Sequence, residues 1–242
     1  MRLSIRLESE KEIKLFQDYR RNFISILKQI GIGTDKSEKK EYKPYSFSVW
    51  FGDEFKIEDE FITGKAILFL FSSGDPTIIT RFYNGIIELK KKDRDIMICK
   101  SPMRITDIKL IPQKKIYAEK IIFKSLGVLV LNNPEASRAD FKKWYIIPTD
   151  NIVKFNECLS QRINSRYQFF TKKVGIHPIR LSLLNDSFIK ETIVKHYGGY
   201  IRGFRGIFQL EGSPEILQFV YDYGFGIRTG QGFGLLEVVK QI

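Results

Sequence analysis

Cysteine and histidine are nearly missing from this chain, with two of each among 242 residues. Cys99 and Cys158 are too few for a disulfide framework or a thiolate metal cage, and read as apolar filler in a reducing compartment. His177 and His196 have no acidic residues at ligand spacing, which gives no support for a zinc site. No metal and no cofactor are expected. Long hydrophobic runs are absent too. The greasiest pieces, Ala66 to Phe71 and Val128 to Leu131, are strand-sized, well short of the roughly 18 residues that would mark a membrane span. The opening MRLSIRLESE alternates and then turns acidic, so neither a secretory leader nor a membrane partner is expected, and the chain is assigned to the cytoplasm.

What the chain has in quantity is positive charge. Lys and Arg total 40 against 28 Asp and Glu, a net charge of +12, with 43% hydrophobic residues to build a core. The excess is shared equally, +6 for residues 1–118 and +6 for the remainder. Such a balance points to a phosphate-rich partner, with an anionic membrane surface as the lesser alternative.

Residue periodicity organises the chain. Leu3, Ile5 and Leu7 alternate as a strand, and Ile13, Phe16, Ile24, Leu27 and Ile30 then recur at three or four residues. This predicts a helix over 10–30, with Gly31 as its C-cap. A basic loop follows from Ile32 to Lys43. Strands are expected at 45–51 and 65–71, a helix from Pro76 to about Ile87, and strands at 95–100 and 104–111. Strand, helix, strand, strand, helix, strand is the split pattern of a ferredoxin-like unit. It returns with a strand run at 120–131, a helix at 151–169, extended segments at 173–184 and 195–210, a helix at 214–223 and a closing strand at 232–240. The expected fold is therefore α+β, two tandem ferredoxin-like (βαββαβ) domains, 1–118 and 119–242.

The most informative stretch is YDYGFGIRTGQGFGLLEVV, residues 221–239. Gly224, Gly226, Gly230, Gly232 and Gly234 fall within eleven positions between a helix and a terminal strand. So much glycine needs a geometric reason. One is a tight connection that avoids clashes; the other is backbone amides brought close to phosphate, with Arg228 supplying a bidentate fork. A mononucleotide phosphate loop is excluded, because Leu235 and Leu236 stand where Lys and Ser or Thr would follow. A dinucleotide fingerprint is excluded because these glycines precede a strand rather than open a helix.

This segment resembles the C-terminal glycine-rich motif of the Cas6 family of CRISPR-associated endoribonucleases, within the RAMP superfamily. The matching elements are Gly224-Phe225-Gly226, the stretch Ile227 to Gln231, and Gly232-Phe233-Gly234 followed by Leu235 to Val238. The approach Gly203-Phe204-Arg205-Gly206-Ile207-Phe208, then Pro214 to Phe219, is similar as well. The resemblance implies two ferredoxin-like domains and metal-independent processing of precursor CRISPR RNA within its repeats. The ribose 2′-hydroxyl attacks the neighbouring phosphate, leaving 2′,3′-cyclic phosphate and 5′-hydroxyl ends. The implied partners are CRISPR repeat RNA and a CRISPR effector complex, around a monomer or homodimer. A non-catalytic repeat-binding protein and a structural subunit of a CRISPR ribonucleoprotein remain the alternatives.

That reaction needs a group to take the 2′-proton, a cation for the crowded phosphorane and a donor to the leaving oxygen. Many family members carry a histidine in the loop after the first helix, but Ile30 to Tyr45 has none here. Lys40, Tyr42 and Lys43 are the catalytic candidates within that loop, against a solvated basic segment that only attracts RNA. His196, between Lys195 and Tyr197, is the catalytic candidate outside it. Lys172, Lys173, Arg180, Arg202 and Arg205 are candidate RNA contacts, joined by Arg228 and the five glycines.

Overall fold

The structure, a computed structural model, describes residues 1–34, 42–52, 55–58, 61–92 and 95–242. Its elements in chain order are β1 (Arg2–Phe16), α1 (Arg20–Gln29), β2 (Ser46–Trp50), β3 (Lys56–Glu58), β4 (Phe61–Ser72), α2 (Pro76–Lys91), β5 (Ile96–Ile98) and β6 (Ser101–Ile111). They continue with β7 (Lys120–Ser125), α3 (Phe141–Trp144), α4 (Ile152–Thr171), β8 (Ile179–Ser182), β9 (Ile189–His196), β10 (Gly199–Gly212), α5 (Pro214–Tyr223) and β11 (Leu236–Gln241). The fold is α+β, and this combination of sheets and helices is consistent with a ferredoxin-like architecture. No helix among the described residues is long and apolar enough to cross a membrane.

The chain divides into two compact units. The first comprises Met1–Gln113 with Val194–Gly199 and Gly230–Gly232; the second comprises Lys114–Ile193, Tyr200–Thr229 and Phe233–Ile242. In the first, the strands run β2-β4-β1-β6-β5, with β3 beside β4. In the second the order is β11-β7-β10-β8, with β9 beside β10.

Local chemistry explains the helix starts. Asp75 accepts from the Thr77 amide at 2.8 Å ahead of Pro76, and Asn151 accepts from the Lys154 amide at 3.0 Å. Ser213 does the same for Ile216 at 3.4 Å, again with a proline in the first turn. Each cap satisfies an amide that the helix itself leaves unpaired, and proline gives up no bond there.

The first helix is shorter than its periodicity predicts. Residues 10–16 continue β1, pairing Ile13 with Gly64 and Leu15 with Ile62 across β4 after a register shift beyond Glu8. Ile13 and Leu15 are buried while Lys11, Glu12 and Lys14 are not, an alternation that fits a strand better than a helical stripe. The strand run at 120–131 is also cut back: β7 ends at Ser125, although Val128 to Leu131 are fully buried.

The core of the first unit is aromatic. Phe71 and Phe82 stack with centroids 4.1 Å apart, and Phe69 packs on Phe23, Phe47 and Phe82. In the second unit Phe155, Phe204, Phe208 and Phe225 form a ring cluster, each fully buried. Phe82→Ala should cost about 3–5 kcal/mol, read as a shift in the denaturant midpoint of the first unit. A loss below 1 kcal/mol would mean the stack is not a determinant of that core.

Candidate functional site

The glycine-rich stretch begins where α5 ends. Gly224 caps that helix at φ 89°, and the orphan carbonyls are collected by one side chain from α4. Arg166 donates from Nη1 to Gly224 O at 2.7 Å and Gly226 O at 3.1 Å, and from Nη2 to Tyr223 O at 2.8 Å. Only 1% of Arg166 is exposed. A guanidinium at a helix C-terminus meets both the unpaired oxygens and the negative end of the helix dipole.

The remaining turns are zipped to the chain after β7. Ile227 N donates to Val130 O, Gly234 N to Val128 O and Phe225 N to Gly234 O, at 2.8–3.1 Å. A Cβ on Gly226 would sit on the Val130 carbonyl oxygen, and one on Gly234 would sit on Phe225 O; both residues also hold positive φ. Of the two explanations for the glycines, the tight connection is the one that the backbone contacts support. All five glycines are buried, so as direct RNA contacts Gly224, Gly226, Gly230, Gly232 and Gly234 are corrected to a packing role. Arg228 is different: exposed, at φ 59°, it is the side chain this loop turns outward, with Nη2 3.5 Å from the Tyr145 hydroxyl.

Within the first unit, residues 230–232 pack on the candidates from the basic loop. A Cβ on Gly230 would lie 2.7 Å from Cγ of Lys43, and one on Gly232 2.7 Å from the Phe47 ring. Gly232 O accepts from Nε of Arg20 at 3.2 Å, and Arg20 is 3% exposed. Lys43 and the glycine stretch, far apart in sequence, are thus brought together. Tyr42 is half-buried beside Lys43 in the chain. Lys40 lies outside the described residues.

His196 belongs to the same unit but is enclosed. Its Nδ1 lies 3.3 Å from Asp18 Oδ1 and its Nε2 3.3 Å from Gln231 Oε1, with 1% of the side chain exposed. Asp18 Oδ2 also accepts from the Tyr197 amide at 2.8 Å. These contacts enclose the ring at the tip of the β9–β10 hairpin. The expectation that His196 is catalytic is corrected by this enclosure.

Arg202 is corrected likewise. Its guanidinium donates to Asp150 at 2.6 and 2.8 Å, to Glu191 at 2.7 Å and to Tyr145 O at 2.9 Å, and it is 5% exposed. Burial pushes the Asp150 carboxyl up, but the bonds from Arg202 and the Ile147 amide outweigh it and hold it below the usual carboxylate range. Arg202 also holds Glu191 down. Lys173 bonds Glu215 at 2.6 Å on the surface, which raises the lysine. Arg180 and Arg205 are exposed, and Lys172 lies over the Phe169 ring at a left-handed φ of 59°.

The internal bonding of Arg20 and Arg166 has a signal in the sequence. Each sits on the apolar stripe of its helix, Arg20 in step with Phe23 and Leu27, Arg166 with Leu159 and Ile163. A cation at such a position must find internal partners.

Residues 111–238, more than half of the chain, match the family model described as "CRISPR associated protein Cas6, C-terminal". The chain belongs to the Cas6 family. Among similar proteins, CRISPR-associated endoribonuclease-like protein Cas6nc of Pyrococcus horikoshii is 25% identical over 191 residues, 75% of this chain and 72% of the relative. CRISPR-associated endoribonuclease-like protein Cas6 of Pyrococcus furiosus is 29% identical over 161 residues, 65% of this chain and 63% of that one. A solved structure described as "An RAMP protein binding different RNA substrates" superposes at a TM-score of 0.81 with 24% identity. It covers 99% of this chain and 100% of its own, and the likeness is one of fold.

Two outcomes test this geometry. Gly226→Ala combines the left-handed backbone with the Val130 oxygen and should cost about 2–5 kcal/mol. Gly31→Ala, at φ 76° with open space around it, should cost only about 1–2 kcal/mol. Equal losses in urea unfolding would refute the close approach.

Arg202→Ala should destabilise by about 2–3 kcal/mol near neutrality, less than the loss of a fully buried pair because Asp150 and Glu191 are partly exposed. Because Asp150 and Glu191 are depressed in the folded state, that contribution is present above their unfolded values near 4 and is lost as pH falls through the folded ones. The gap between wild type and variant should therefore narrow progressively in urea titrations as the pH is lowered below the unfolded carboxylate values, and a constant gap would contradict the pairing.

Proposed function

We propose that this chain is a metal-independent endoribonuclease that processes precursor CRISPR RNA within repeats, by 2′-hydroxyl attack to 2′,3′-cyclic phosphate and 5′-hydroxyl ends. Family membership supports an RNA-processing role in general. The observation that carries the finer reading is the packing of Lys43 against Gly230, with Arg20 anchoring the next turn at Gly232. A lysine held there by its stem presents a positive charge to a phosphorane without having to be ordered during the reaction. Arg228, turned outward from a buried loop, is the proposed phosphate contact, with Lys172, Lys173, Arg180 and Arg205 as further contacts. Lys40 and Tyr42 complete the proposed catalytic loop. His196 is enclosed at the hairpin tip.

The proposed frame is two tandem βαββαβ domains, 1–118 and 119–242. The strand orders support it: in each sheet the first strand of its half lies inside, beside the last strand. CRISPR repeat RNA is the proposed partner, and the RAMP protein of like fold is described as binding different RNA substrates. A CRISPR effector complex is the further proposed partner, for a monomer or homodimer.

A non-cleaving repeat-RNA binder is the second reading. It is favoured by the absence of histidine from the loop at 30–45, by the enclosure of His196, and by the name of the Pyrococcus horikoshii relative, which is endoribonuclease-like.

Incubation of the protein with a repeat hairpin in chelator, followed by end-group analysis, separates the two. Cyclic phosphate ends at a single position are expected, and Lys43→Ala should slow single-turnover cleavage more than it weakens binding. Intact RNA that is nonetheless tightly bound would install the second reading. Arg228→Ala should lower affinity and reduce the salt slope by about one contact.

A further inference from the structure

A groove of about 700 Å³ opens on the first unit beside the tip of the β9–β10 hairpin, with Asp18 in its wall. Four cations line it: Arg21 and Lys28 from α1, Lys100 from the β5–β6 turn and Lys195 from the hairpin tip. Tyr197 forms part of the wall, 51% exposed, with the Arg21 guanidinium 5.2 Å from its ring centroid.

The backbone around this groove is strained. Five non-glycine residues hold positive φ among those described, and three of them line it: Cys99 at 49°, Lys100 at 69° and Tyr197 at 50°. Left-handed conformations cost energy at such residues and persist where neighbouring groups over-determine them. The start of α1 does this twice. Asn22 accepts from the Cys99 amide at 3.2 Å and donates to its sulfur at 3.0 Å, fixing one turn. Asp18 accepts from the Tyr197 amide and faces His196, fixing the other. Two turns are thereby held so that Lys100 and Tyr197 face one trough.

We infer that this groove binds an unpaired segment of RNA, its phosphates along Arg21, Lys28, Lys100 and Lys195 and one base on Tyr197. The assignment rests on the RNA-processing reading above and adds a subsite to it. A chain rather than a single phosphate fits the spacing, since Arg21 and Lys28 stand seven residues apart on one helix face, roughly 10 Å along the axis. A flexible single strand also suits a trough walled by an exposed ring, because every base has a face to stack.

The test uses the full chain, a fluorescent 12-nucleotide oligouridylate and a fluorescent repeat hairpin without single-stranded flanks, titrated by anisotropy at several salt concentrations. Replacing the exposed pair, Lys28→Gln with Lys100→Gln, should weaken oligouridylate binding about tenfold and lower its salt slope by about 1.4, two single-strand contacts. Tyr197→Asn keeps a residue that tolerates the left-handed turn and should cost at least about fivefold, with Tyr197→Phe close to wild type. The hairpin titrations should barely change, and melting curves should match wild type.

Unchanged oligouridylate affinity and slope in the variants overturn the groove. So does equal loss for hairpin and oligouridylate, which would make these residues a general electrostatic surface. A wild type that binds the hairpin and ignores oligouridylate at low salt overturns the groove alone. A wild type that binds neither overturns the RNA-processing reading with it.

Discussion

Steric contact between backbones governs the region from Tyr221 to Leu235. The chain turns back on itself so tightly that Gly226 faces the Val130 carbonyl and Gly234 faces that of Phe225, with no room for a methyl group. The amides and carbonyls brought together in this way bond one another, and Arg166 absorbs those left over at the end of α5. Once the backbone is committed to that path, the loop has little freedom left, and Arg228 is turned outward as a consequence.

Buried guanidinium groups recur as the device that holds irregular backbone. Arg166 does so in the second unit and Arg20 in the first, each reaching carbonyls that no strand or helix satisfies. Arg202 performs the analogous service for carboxylates. The planar fork with fixed donors explains the choice of arginine over lysine at all three positions. These three arginines are therefore structural and do not belong to the surface available to a polyanion.

The strand and helix order was legible wherever periodicity was clean, as at Leu3, Ile5 and Leu7, or where a proline followed a capping residue, as at Asp75-Pro76 and Ser213-Pro214. The helix expected from residue 10 was misjudged because Ile13 and Phe16 satisfy a three-residue spacing, while pairing with β4 decides the matter through Ile13 and Leu15. The family was readable from Gly203 to Val238. Individual roles were less so. Charge type cannot distinguish Arg205, which is exposed, from Arg202, which is locked between two acids, since the partners at Asp150 and Glu191 are distant or unmarked in sequence. His196 looked reactive beside Lys195 and Tyr197; only the fold brings Asp18 and Gln231 onto its two nitrogens.

The central claim is that the buried glycine loop serves as a support from which a few side chains meet RNA. Photocrosslinking of a 4-thiouridine-substituted repeat RNA to the protein, with crosslinked peptides mapped by mass spectrometry, tests it most directly. Crosslinks should fall on peptides containing Arg228 and the Tyr42–Lys43 segment, and disappear under high salt. Crosslinks absent from both, and concentrated instead around Lys154 or Trp50, would contradict the account.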